Sequence, residues 1–195
     1  MLSNNIFIVI EGIDGAGKTT ISKLLSEKIS ACFYKTPSGF WLKHRHLVEN
    51  KSSLIRFLYY SIALIDSSRK ISKILKNKAV ICDRYIYSTW AYHIAYGCRF
   101  LKYIPFYILP IITPDVICYL YVSKEERLKR IINRENNTNK DFDSAALEKI
   151  HNIFMEYKDM IVIDTTNLSK EEVIEILYSA IIIHKKYVIS GKYER

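Results

Sequence analysis

Short apolar runs at 6–10, 31–34, 79–82, 116–122 and 161–164 punctuate the chain, each bounded by polar or turn-forming residues. Runs this short and this rich in Ile and Val read as strands buried on both faces, because a strand with one wet face would alternate. Between the runs the apolar spacing becomes that of a helix. Ile21, Leu24, Leu25 and Ile29 recur at helical spacing over 19–29, and Ile55, Leu58, Ile62, Ile65, Ile71, Ile74 and Leu75 do so over 54–75. Helices are also expected over 85–96, from Ser123, over 144–157 and over 169–184. Ser123 and Ser169 each stand three residues before a glutamate, Glu126 and Glu172, the capping-box signature of a helix start. Thr36-Pro37-Ser38-Gly39 closes the second strand as a loop, and the Asn-rich 133–141 reads as a loop between helices. Strand and helix alternate throughout, which predicts an α/β fold with a five-stranded parallel sheet flanked by helices. Ligands of such sheets gather at the carboxyl ends of the strands.

Gly12, Gly17, Lys18 and Thr19 have the spacing G-x-x-x-x-G-K-[ST], and they lie between the first strand and the first helix. That is the context a phosphate-binding loop requires. Small residues there let backbone N–H groups curl around phosphates, and the following helix points its positive end at them. Gly12, Ile13, Asp14, Gly15, Ala16, Gly17, Lys18, Thr19 and Thr20 are therefore expected to hold a nucleoside triphosphate. Lys18 would reach the β- and γ-phosphates and the Thr19 hydroxyl would join Mg²⁺. Asp83 ends the third strand at the same edge, a position suited to the metal. Arg84 beside it has the planar fork that spans two phosphate oxygens.

With 195 residues the chain has the size of one domain with a full core. Its net charge is +9, from 29 Lys and Arg against 20 Asp and Glu. No block of basic residues with interleaved aromatics accompanies that excess, so a role in binding nucleic acid is not expected. The first apolar run leads straight into the loop, unlike a signal peptide. The apolar stretch 100–122 is interrupted by Lys102, Pro105, Pro110, Pro114 and Asp115, which argues against a membrane span. Cys32, Cys82, Cys98 and Cys118 form no metal-binding spacing, and read as buried free thiols in a reducing cytoplasm.

FIVIEGIDGAGKTT followed downstream by CDRYIYSTWAYH resembles the thymidylate kinase family, whose members phosphorylate dTMP to dTDP with Mg-ATP. The likeness runs from about 6 to 184 and includes PDVICYLYV, LKRIINR and VIDTTN. It implies a three-layer P-loop kinase sandwich occupying 1–195 as a single domain, with a lid at about 134–142, and a homodimer. It further implies that Asp14 bonds the acceptor sugar's 3′-hydroxyl and that Arg84 grips the acceptor phosphate. Asp83 would lie near the metal, and Tyr92 would crowd the 2′ position. Lys18, Asp83, Arg84 and Arg134 are thus the expected catalytic residues. Thr19 and Asp83 are the expected metal ligands, and Asp14, Phe57, Arg84 and Tyr92 the acceptor site.

The chain departs from the family pattern in several places. Gly15-Ala16 leaves the loop without an arginine, so cations are expected from the lid side: Arg127, Arg130, Arg134 and Lys140. Of these, Arg127 and Arg130 read as a solvated helix face, and Arg134 is the one expected to act. Lys35-Thr36-Pro37-Ser38-Gly39 replaces the family's Arg-Glu-Pro-Gly-Gly. Phe57 is followed four residues on by Ser61, where the family has an arginine that reads thymine, which leaves Arg56 or Arg69 as substitutes. His93 stands where the family often has Gln. Two other functions stay open at this level. One is a kinase of another nucleotide or deoxynucleoside. The other is an ATP-dependent binding module using the apolar segment 104–112.

Overall fold

The computed structural model describes residues 5–105, 108–132 and 142–189. In chain order the strands are β1 (Phe7–Gly12), β2 (Cys32–Lys35), β3 (Val80–Asp83), β4 (Val116–Tyr121) and β5 (Ile161–Asp164). The helices are α1 (Lys18–Lys28), α2 (Gly39–His44), α3 (His46–Glu49), α4 (Ser53–Ile74), α5 (Ile86–Ala95), α6 (Lys124–Ile132), α7 (Ser144–Met155) and α8 (Lys170–Ile189). The strands form one parallel sheet in the order β2-β3-β1-β4-β5. All six residues of β1 are buried although successive side chains point to opposite faces, so both faces of the central strand are covered. α1 packs with α8, while α5 packs against both α4 and α7. The α/β architecture and five-stranded parallel sheet expected from the sequence are present.

Parallel register brings the functional edge into line. Ile10 pairs with Asp83 and Gly12 with Leu120. On the outer side of β3, Lys35 pairs with the same Asp83. Beneath this edge the core holds Phe7 and Tyr85 edge-to-face at 5.1 Å, and Trp90 packed likewise on Phe57 at 5.1 Å.

Caps explain where two helices start. Ser169 and Glu172 form the full reciprocal box, with Ser169 N–H donating to Glu172 Oε2 at 2.8 Å and Glu172 N–H donating to Ser169 Oγ at 3.2 Å. At α6 only half the box forms. Glu126 N–H donates to Ser123 Oγ, but the Glu126 carboxylate turns to Arg130 instead, 2.9 Å away.

Two features differ from the sequence reading. The loop expected at 36–39 spans 36–38 and gives way at Gly39 to the short helices α2 and α3, for which the sequence reading has no element and neither of which buries a residue. Helices with no buried face leave no periodic apolar signal to read. In α4 the period is right, yet Ile55, Leu58 and Ile62 are about half exposed. The helix instead buries Phe57, Ala63, Leu64 and Ile71 together with Ser61, Ser67 and Ser68.

Candidate active site

The chain leaves β1 at Gly12 and turns through residues 13–17 into α1. A Cβ at Gly12 would lie 2.7 Å from the Leu120 carbonyl of the neighbouring strand. Gly15 takes a φ of 94°, and a Cβ there would meet Arg127 Cγ at 2.6 Å. Both positions therefore need glycine, for close approach and for a positive φ, which is 151° at Gly12. Ile13 and Ala16 turn inward and are buried. Asp14, Gly15, Gly17, Lys18, Thr19 and Thr20 line a cleft of about 130 Å³ together with Lys35, Asp83 and Arg84. The structure thus gathers the expected loop residues, Asp83 and Arg84 around one cleft.

On one side of the cleft, Lys18 Nζ donates to the Ile13 carbonyl at 2.6 Å. Burial pulls the pKa of its ammonium down to about 8, and Arg84 acts in the same direction. The Thr19 hydroxyl donates to Asp83 Oδ2. Burial alone would push the Asp83 carboxyl up, but Lys18, Lys35 and the Thr19 bond hold it below its ordinary value. Asp83 Oδ1 is buried without a hydrogen-bond partner. One orphaned carboxylate oxygen and one hydroxyl are hard oxygen donors of the kind Mg²⁺ takes. Among the described residues no cluster of three acidic, His or Cys side chains forms a metal cage. Two protein oxygens, with phosphate and water completing the shell, fit Mg²⁺ better than an all-protein site would.

On the other side stands Arg84, at the corner between β3 and α5. Its backbone φ is 70°, a left-handed conformation rare for a residue with a Cβ. The corner is held from several directions. Arg84 N–H donates to the Ile10 carbonyl at 3.1 Å, and its own carbonyl accepts from Thr36 Oγ1 at 2.8 Å. Glu11 lies fully buried beneath it and accepts the N–H groups of Tyr85, at 2.9 Å, and Ser88, at 3.2 Å, together with the Ser88 hydroxyl. One carboxylate thereby caps α5 by taking the N–H of the residue before it and the N–H of its third residue. Burial pushes the Glu11 carboxyl up, against the pull of Ser88 and Arg84.

From this corner the Arg84 side chain reaches Asp14 Oδ1 through Nη2, Ser88 Oγ at 3.2 Å and Tyr92 OH at 3.2 Å, with its guanidinium over the Tyr92 ring at 4.8 Å. Tyr92 OH closes the circuit by donating to Asp14 Oδ2 at 2.8 Å. Desolvation would raise the Asp14 carboxyl, but Arg84 and Lys18 hold it well below the carboxylate range. Burial, opposed by Arg84, keeps Tyr92 protonated far above the phenol range. Asp14, Arg84 and Tyr92 thus form one preorganised unit.

Other expected residues lie elsewhere. Phe57 is 8% exposed and packs edge-to-face against Trp90 and His93, which sets it in the core rather than on the cleft. Arg127 is buried at 2% exposure against Gly15 of the β1–α1 loop, and Arg130 pairs with Glu126 and donates to the Thr165 carbonyl at 2.8 Å. Neither is the solvated helix face the sequence suggested. Arg134, Lys140 and all but the last residue of the expected lid 134–142 lie outside the described residues. Glu11 was missed in the sequence, although an acid ending a buried apolar run is itself a signal, because burial demands partners. Glu11→Gln removes one acceptor oxygen from the α5 start. It should destabilise the fold by roughly 1–3 kcal/mol in urea unfolding, and unchanged stability would contradict this role for the carboxylate.

Known proteins share the fold and are similar along most of the chain. Residues 10–176 match the family model described as thymidylate kinase. The probable thymidylate kinase of Methanocaldococcus jannaschii is 38% identical over 180 residues, an alignment covering 87% of this chain and 92% of that one. The solved thymidylate kinase of Candida albicans is alike in fold, with a TM-score of 0.79 at 23% identity over 95% of this chain and 94% of its own. That of Ehrlichia chaffeensis has a TM-score of 0.65 at 27% identity, covering 90% of this chain and 100% of its own. The chain belongs to the thymidylate kinase family of phosphotransferases.

Proposed function

We propose that the chain transfers the γ-phosphoryl group of Mg-ATP to the phosphate of dTMP, giving dTDP and ADP. The observation that carries this reading is the Asp14–Arg84–Tyr92 unit, whose Asp14 and Arg84 line the same cleft as Lys18 and Thr19. The second pair is chemically suited to a nucleoside triphosphate, and the unit to a second phosphate attached to a sugar. Membership in the family supports the substrate class.

The reaction needs positioning and charge compensation more than covalent chemistry. Lys18 and the loop N–H groups would cradle the donor phosphates. Mg²⁺ held by Thr19 and Asp83 would offset charge on the phosphate oxygens. Arg84, fixed before the substrate arrives, would grip the acceptor phosphate and stabilise charge developing in transfer. The Asp14 carboxylate, kept ionised, would accept from the acceptor's 3′-hydroxyl. Tyr92 would press on the 2′ position and favour deoxyribose. No general base is assigned, because the acceptor phosphate oxygen is already an anion. A lid arginine, Arg134, would add a further cation over the donor.

For the base, Arg56 is better placed than Arg69. Its guanidinium lies over the Tyr96 ring at 5.8 Å, one helical turn along α5 from Tyr92, and its buried Nε has no partner. Arg69 is exposed. We also propose a single-domain homodimer joined through the exposed α4 stripe of Leu54, Leu58 and Ile62, which recur every fourth residue on one face. A reducing cytoplasm suits the three buried free cysteines, and among the described residues no helix is long and apolar enough to cross a membrane.

ADP release from Mg-ATP, measured over a panel of deoxynucleotides, ribonucleotides and thymidine, should be fastest with dTMP. Lys18→Ala and Arg84→Ala should each lose roughly two to three orders of magnitude in kcat while remaining folded. Arg56→Ala should narrow the gap between dTMP and other acceptors. Release that ignores every acceptor would overturn kinase activity, and a different best acceptor would overturn the substrate. In sedimentation the wild type should run as a dimer and Leu58→Glu as a monomer. A monomeric wild type would remove the proposed interface.

A further inference from the structure

Lys35 was not among the expected site residues, yet its ammonium stands in the cleft at the place of a cation. It closes β2 in register with Asp83 of β3, so the two side chains leave the sheet at the same level. Lys35 Nζ is 2.9 Å from Thr19 Oγ1 and 3.1 Å from Asp83 Oδ2. The contact is lopsided. The Lys35 side chain is 44% exposed on a flexible stem, whereas the Asp83 carboxylate is 1% exposed. Thr36 N–H donates to the Asp83 carbonyl at 3.1 Å, which ties the end of β2 to the end of β3.

The direction of these bonds matters. The Thr19 hydroxyl spends its one proton on Asp83, so what it presents to Lys35 is a lone pair. A divalent ion on the Thr19 oxygen beside Asp83 would use oxygen lone pairs of the same two groups. Two cations cannot share that place in a half-buried cleft without strong repulsion.

We propose that Lys35 is a built-in counter-cation of the Thr19–Asp83 pair, which competes with Mg²⁺ for these oxygens and is displaced when metal and nucleotide bind together. This inference rests on the reading of the cleft as a Mg-nucleotide site. The ammonium compensates the buried Asp83 and also sets the affinity threshold that metal must pass. An arginine in its place would keep the charge, and methionine would keep the length without it.

The test is the affinity for ADP, measured by calorimetry with Mg²⁺ and again with the metal chelated, in wild type, Lys35→Met and Lys35→Arg. The ratio of the two affinities reports how much metal contributes to binding. Competition predicts that Lys35→Met raises this ratio about ten-fold, the factor expected for one charge-assisted contact, while Lys35→Arg stays near wild type. A direct role of Lys35 on the phosphates predicts equal losses in both conditions and an unchanged ratio, which would overturn the competition. Thermal melting of each variant with and without Mg²⁺ alone gives a second reading. Metal should raise the melting temperature of Lys35→Met more than that of wild type, and an equal rise would also count against competition. A wild type whose ADP affinity is indifferent to Mg²⁺ would instead overturn the Mg-nucleotide reading, and this inference with it.

Discussion

The β1–β3 pairing carries the site. Its register sets Ile10 opposite Asp83, and the Arg84 N–H to Ile10 carbonyl bond is its last rung. Beyond that rung the two strands diverge: β1 runs on beside β4 to Gly12 before entering the glycine-rich loop, while β3 turns at once into the left-handed corner at Arg84. The Glu11 carboxylate, one residue past the rung, takes over where the β1–β3 ladder stops and binds the N–H groups of Tyr85 and Ser88 at the start of α5. Strand pairing thus hands over to a buried carboxylate, and the Arg84 guanidinium inherits its position from both. The strained φ persists because hydrogen bonds from β1, Glu11 and Thr36 over-determine it.

The charges around the cleft are arranged in matched groups. Glu11 is satisfied by backbone and hydroxyl donors, Asp14 by Arg84 and Tyr92, and Asp83 by Thr19 and Lys35. Each carboxylate is held in place by neighbours that already have its orientation. Little rearrangement of dipoles is then required when polyanions enter, and that is the physical basis of electrostatic preorganisation. Asp83 is the exception, because its Oδ1 has no partner and its companion cation is the half-exposed Lys35. The least settled corner of the network is the one facing the proposed metal position.

Much of this was legible in the order of residues. Strands such as β5 declare themselves as apolar runs between turn signals, and the loop glycines sit at a spacing that backbone geometry demands. Other parts left no readable trace. α2 and α3 bury nothing, so no periodicity marks them. Arg127 follows Glu125 and Glu126 in a charged stretch and reads as surface, yet it packs on Gly15 because only a glycine there admits its stem. Phe57 was expected in the acceptor site, whereas it packs on Trp90 and His93 in the core. Lys35 was passed over because its partner Asp83 is distant in sequence and only β2–β3 register brings them together. Long-range pairing decides such contacts, and spacing along one chain segment does not encode it.

We propose that one cleft holds donor and acceptor phosphates together, the donor at Lys18 and Thr19 and the acceptor at Arg84, with Asp14 and Tyr92 beside it. A crystal structure with Mg²⁺ and a bisubstrate compound, adenosine and thymidine joined through five phosphates, tests it most directly. The account predicts that the phosphate chain runs from the loop to Arg84, with the metal at Thr19 and Asp83 and the thymidine sugar against Asp14 and Tyr92. A thymidine end bound away from Tyr92, or a phosphate chain that never meets Arg84, would contradict it.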